Sequence, residues 1–180
     1  MSNNYHDEDD EELEGEDPPE ALDNLTDELI MYAKANDEEV NIEWDPEGMY
    51  YEIFSDDLDP VEVYVMDIDD ALYGEAEAIT VEAVVGHYSK DLDLAALLRE
   101  CDTYLVYSHP TITRGENKNE ELVLLQAACP IGQMSVEMFD AMIREVATIS
   151  ADLHDHFFAG EDDDEENDDG EEDSSDDTNN

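Results

Sequence analysis

Apolar and polar positions change period several times along the chain, and each change predicts an element. After Pro18-Pro19, Leu22, Leu25, Leu29, Tyr32 and Ala33 recur at helical spacing, which predicts an amphipathic helix to about Asn36. Proline suits the first turn of such a helix because its missing N–H has no partner there. Val40, Ile42 and Trp44 then alternate as strand residues do. Asp45-Pro46-Glu47-Gly48 places proline and glycine where a tight turn uses them, and 49–54 returns as a second strand, so a hairpin is predicted. Asp56-Asp57-Leu58-Asp59-Pro60 reads as a loop, and Val61, Val63 and Val65 alternate again. A short connection over 69–77 leads to a β-branched run at 79–88.

In the second half, Asp91 or Asp93 is placed to cap a short helix holding Leu94, Leu97, Leu98 and Cys101. Residues 103–108 and 122–128 read as strands around the polar loop Arg114-Gly115-Glu116-Asn117-Lys118-Asn119. Pro130-Ile131-Gly132-Gln133-Met134 leads to Ser135, a good N-cap. Phe139, Met142, Ile143, Val146, Ile149, Leu153 and Phe157 then line one face of a long helix. Strands grouped between helices predict an α+β fold: an antiparallel sheet of about five to six strands. An N-terminal helix, a short middle helix and a long C-terminal helix pack on one face of it. The expectation is a single domain over 18–159 with no internal repeat. Residues 1–17 and 160–180 carry too little apolar surface to offset chain entropy, and are expected to be disordered acidic tails.

Charge changes the picture most. The chain holds 55 acidic and 6 basic residues, a formal net charge of -49. Ten acids fall in residues 1–20 and thirteen in 161–180, with no Lys or Arg in either, so 32 acids and all six basic residues lie between. A body with that balance repels itself unless salt screens it, and molar salt shortens the screening length to about 3 Å. Lysine is confined to Lys34, Lys90 and Lys118. This composition predicts the cytoplasm of a salt-accumulating halophile, or one of its viruses. No apolar stretch is long enough for a membrane-spanning helix, and the N-terminus has no basic-then-apolar secretory pattern, so a cytoplasmic location is expected. Cys101 and Cys129 lie far apart among apolar residues and read as reduced core cysteines.

The element order resembles the type III secretion chaperone-like superfamily, in particular its YbjN-type members, over about 20–158. The likeness is clearest in Leu97-Leu98-Arg99-Glu100-Cys101 ending the middle helix, the apolar run Leu122-Val123-Leu124-Leu125 and Cys129-Pro130. It continues in the long helix from Met134-Ser135-Val136-Glu137 through Ala147-Thr148-Ile149-Ser150-Ala151-Asp152. The resemblance implies a small non-catalytic domain, often dimeric, that holds segments of other proteins. One strand more than the simplest version of that fold precedes the middle helix, and no binding residue transfers.

Candidate chemistry is sparse. His154-Asp155-His156 has a chelating look, but helix positions two apart point about 200° away from each other, so a polar helix end is the better reading. Ser108-His109 are neighbours facing opposite sides of a strand. Asp67-Ile68-Asp69-Asp70 resembles the start of a calcium loop but lacks its central glycine and has Ala78 where the closing glutamate belongs. With 55 acids, adjacent carboxylates carry little information about catalysis. No glycine-rich phosphate cradle or basic patch is present, so direct nucleic-acid binding is not expected. No catalytic residues, cofactor or specific metal are expected either, only unspecific cations.

The aromatics point further. Trp44, Tyr50, Tyr51, Tyr64, Tyr104 and Tyr107 lie in or beside predicted strands, and both parities are apolar in several of them. A sheet covered on one face would therefore expose Tyr, Val and Met on the other. These six are the candidate partner-binding residues of a chaperone-like adaptor. The partner is a protein segment or a homodimer mate. The alternative is an acidic decoy, mimicking nucleic acid, that sequesters basic proteins.

Overall fold

The computed structural model describes residues 17–70, 74–115, 117 and 120–159; both predicted tails lie essentially outside these. Ten elements follow one another: α1 (Glu20–Ala35), β1 (Asn41–Asp45), β2 (Tyr50–Ser55), β3 (Leu58–Asp70), β4 (Gly74–His87), α2 (Leu94–Tyr104), β5 (Ser108–Arg114), β6 (Glu121–Pro130), a 3₁₀ turn (Ile131–Gln133) and α3 (Val136–Phe157). The strands form one antiparallel sheet in the order β1-β2-β3-β4-β6-β5. This is the predicted α+β architecture, with six strands.

Local chemistry sets the boundaries. Asp45 Oδ1 accepts hydrogen bonds from the N–H groups of Glu47 and Gly48 at 2.8 and 3.1 Å and so closes the first hairpin. These bonds, from Gly48 and then Glu47, hold its carboxyl below the usual range. The left-handed residue of that turn is Met49 (φ 60), not Gly48. Asp93 rather than Asp91 caps α2, its carboxylate accepting from Ala96 N at 2.9 Å. Ser135 Oγ caps α3 by accepting from Met138 N at 3.3 Å.

Strand alternation sends one set of side chains to the helices. Tyr51, Ile53, Val61, Val63, Ile79, Val81, Ala127 and Cys129 meet Leu22, Leu25 and Leu29 of α1 and Phe139, Met142, Ile143 and Val146 of α3. A second cluster joins Leu97 and Cys101 of α2 to Val85, Val123, Leu125, Leu153 and Phe158. A bulge between Val84 and Gly86 shifts the β4–β6 register. Gly86 faces Phe158, whose ring occupies the space a Cβ would need.

Two expectations are corrected. The strand predicted at 103–108 does not form: α2 continues through Tyr104, and the edge strand is Ser108–Arg114. The β-branched and aromatic run there misled, while Pro110 made the true strand look unfavourable; on an edge strand its missing N–H costs little. The connection predicted over 69–77 is mostly strand, because β3 and β4 continue as a long hairpin paired from Glu62↔Glu82 to Asp70↔Gly74.

Candidate functional site

All three helices contribute to clusters on one face of the sheet, and the other face has no helix over it among the described residues. Its composition follows from register. Glu43 pairs with Glu52, Glu52 with Glu62, Glu62 with Glu82, Glu82 with Gln126 and Gln126 with His109. One row therefore crosses all six strands, and four consecutive members are glutamates. Tyr64, Thr80 and Ala128 form the next row on one side; Val84, Leu124 and Thr111 form the next on the other.

Directly opposed side chains on neighbouring strands have Cβ atoms about 4.5–5.5 Å apart, and like charges so placed destabilise a sheet. Among the described residues no Lys, Arg or His is paired with Glu43, Glu52, Glu62 or Glu82; Arg144 pairs with Asp140 and Glu38, and His87 Nδ1 lies 3.3 Å from Glu120 Oε1. Burial, then the charges of Glu82, Glu52 and Asp45, push the Glu62 carboxyl above the usual range. Glu82 is held in place: the Tyr64 hydroxyl donates to its Oε2 at 2.7 Å and Gln126 Nε2 at 2.8 Å. Burial and the bond to Glu82 push the Tyr64 hydroxyl upward in turn.

A prediction follows from the Glu62 environment. Because folding raises its pKa, its contribution is most favourable below the unfolded glutamate value and is lost as pH rises through the folded value. Glu62→Gln should therefore stabilise the fold at neutral pH by about 0.2–1 kcal/mol. The gain should shrink in molar salt and vanish on acidification, as denaturant unfolding at two pH values would read. A loss of stability at neutral pH would show that the row is held by something other than repelling carboxylates.

The six candidate aromatics separate into three places. Trp44 and Tyr51 lie on the covered face, in tilted contact with ring centroids 4.9 Å apart. Tyr51 is buried, and its hydroxyl donates to Asp23 Oδ1 of α1 at 2.8 Å; burial, then that bond, pushes its pKa up to about 12. Trp44 packs against the same core, so neither belongs to an open face. Tyr50 and Tyr64 lie on the uncovered face, each half-buried. Tyr104 and Tyr107 are exposed but sit at the α2–β5 junction, against the helix layer. Tyr104 lines a groove with Glu100, Ile149, Asp152, Leu153 and His156.

That junction is fixed by one carboxylate. Glu145 of α3 accepts from the N–H groups of Val106, Tyr107 and Ser108 at 3.1, 2.9 and 2.8 Å, and from Ser108 Oγ at 2.7 Å. Burial acts to raise its pKa, but the bonds from Ser108, Tyr107 and Val106 outweigh it and the net shift is downward. Its stabilising effect is thus present above the ordinary glutamate value and lost as pH falls through the lower folded value. Glu145→Ala should cost about 1–3 kcal/mol, because three N–H groups lose their acceptor. Amide exchange at Val106, Tyr107 and Ser108 should accelerate. Unchanged exchange there would mean that the loop is held by its exposed side chains instead.

The other sequence candidates are placed as follows. His154 Nδ1 lies 2.8 Å from the Val85 carbonyl oxygen, whereas the His156 ring contacts Phe157, so the two imidazoles serve different neighbours. Among the described residues no three His, Cys, Asp or Glu side chains gather as metal ligands. Cys101 and Cys129 are buried free thiols, and burial pushes both upward in pKa. No described helix is long and apolar enough to cross a membrane. No protein-family model matches the chain, and no curated protein matches it either.

Sequence reasoning missed the glutamate row, although its signal is present. Ile42-Glu43-Trp44, Tyr51-Glu52-Ile53, Val61-Glu62-Val63 and Val81-Glu82-Ala83 each enclose one glutamate between two apolar residues. Alternation alone puts the four on the uncovered face. Only the register shows that they stand in line.

Proposed function

We propose that this chain is a non-catalytic, chaperone-like adaptor domain of the halophile cytoplasm whose uncovered sheet face holds a protein partner. The observation that carries the reading is the one-sided arrangement: a six-stranded sheet with all described helices on one side. The free side offers the half-buried rings of Tyr50 and Tyr64 and the exposed side chains of Met66 and Val84. Apolar side chains on a free sheet face bring affinity when a partner covers them, and polar groups beside them set orientation. The segment-holding behaviour expected of YbjN-type domains agrees with such a surface.

Site-specific photo-crosslinking tests this. A crosslinker at Val84, on the uncovered face, should give discrete protein adducts in cells, and one at Met31, at least as exposed on α1, should not. Adducts at Met31 alone would move the contact surface to the helix layer. Adducts at neither position would remove the adaptor reading.

A further inference from the structure

The uncovered face has a chemistry more specific than its exposure. Halophilic surfaces carry many acids, but spreading them lowers repulsion, and here four are aligned across adjacent strands where repulsion is greatest. The arrangement costs stability in the isolated domain, and local costs of this kind concentrate at functional sites. Three members, Glu52, Glu62 and Glu82, are only partly solvated, and Glu82 is oriented by donors from Tyr64 and Gln126. Beside them Thr80 is fully buried on the same face, opposite Tyr64, and its Oγ1 has no hydrogen-bond partner. One buried polar group beside the hydrogen-bonded Tyr64–Glu82 pair is therefore left unpaired within the domain.

We propose that the occupant of this face is a cationic helical segment of another protein, whose Lys or Arg side chains pair with Glu52, Glu62 and Glu82. This rests on the reading of the uncovered face as the contact surface. Strands lie about 4.8 Å apart, so the carboxylates recur at that interval along the row. One helical turn rises about 5.4 Å, so a helix with one cation per turn meets successive glutamates. Alternate residues of an extended strand recur at about 6.7 Å and fall out of step. Apolar side chains flanking those cations meet Tyr64 on one side and Val84 on the other. A second copy of this chain is a poor occupant, because face-to-face stacking opposes two carboxylate rows on bodies already strongly negative. The upward displacement of the Glu62 carboxyl agrees, since a partner cation compensates the lost solvation of its charge and offsets its neighbours' charges.

The test uses the full chain in molar KCl and two synthetic amphipathic helical peptides. One carries Lys or Arg once per turn between Leu and Val; the other has Gln at those positions. Affinity is measured by titration and the contact surface by amide exchange. The cationic peptide should bind and protect β3 and β4. Glu62→Gln with Glu82→Gln should weaken it at least about tenfold. Asp27→Asn with Glu28→Gln, removing two charges from the exposed side of α1, should leave it unchanged. Equal binding of both peptides to the face would overturn the cation inference and leave the adaptor reading standing. So would a dimer with the face protected. Binding of the cationic peptide that ignores the Glu62 and Glu82 changes would overturn the inference in favour of an unspecific acidic decoy. If neither peptide binds and the chain stays monomeric, the inference falls, and photo-crosslinking at Val84 decides the reading beneath it.

Discussion

Phe139→Ala is expected to lower the unfolding free energy by about 3–5 kcal/mol, a large share of the roughly 5–15 kcal/mol that holds a typical domain together. Phe139 has 0% of its surface exposed. It stands in the first turn of α3, within the cluster that joins α1 to the covered face of β2, β3, β4 and β6. Truncation removes the transfer energy of the ring and leaves a cavity lined by groups on rigid elements, which close it only in part. Phe157→Ala is the comparison. That ring lies near the other end of the same helix and is only half-buried, so its loss should cost clearly less. Urea unfolding in molar KCl checks both, with an unchanged slope showing that the denatured state is the same. Equal costs would mean that the two core clusters are not ranked by burial.

The elements of this fold were legible where one face repeats at a fixed period. The α3 stripe predicted its whole length, and Phe139, Met142, Ile143, Val146 and Leu153 are all buried. The turn at Asp45 was legible because its side-chain chemistry is local. Residues 103–108 were misread because aromatic and β-branched residues suit a helix end against α3 as well as a strand, and tertiary contact decides between them. The candidate site was legible only in part. Tyr50 and Tyr51 differ by one position, and that parity sends Tyr51 to Asp23 and Tyr50 to the uncovered face. The glutamate row depends on three pairings whose registers are set by loops and by one irregularity, between Ile53 and Ser55. A shift of one residue in any strand would move its glutamate to the other face.

The whole fold is expected to depend on salt more than on any single side chain. In about 0.1 M KCl the screening length is roughly 10 Å, twice the separation of opposed glutamates, so most of the repulsion along the row from Glu43 to Glu82 remains. In about 1 M KCl it is roughly 3 Å, shorter than that separation, and the repulsion fades. Little inside the domain offsets it: Arg144 pairs with Asp140 and Glu38, both at the helix layer, and the chain has only 6 basic residues against 55 acids. Circular dichroism of the full chain across a KCl series should show a cooperative gain of structure toward molar salt. An uncharged osmolyte at matched osmolality should replace KCl poorly, because it excludes itself from surface without screening charge. Glu62→Gln with Glu82→Gln should move the transition to lower salt, which ties the global effect to the row. If the chain is fully folded at low salt, the carboxylates are already neutralised from within. The halophilic reading then fails, and the acidic decoy becomes the stronger account of the composition.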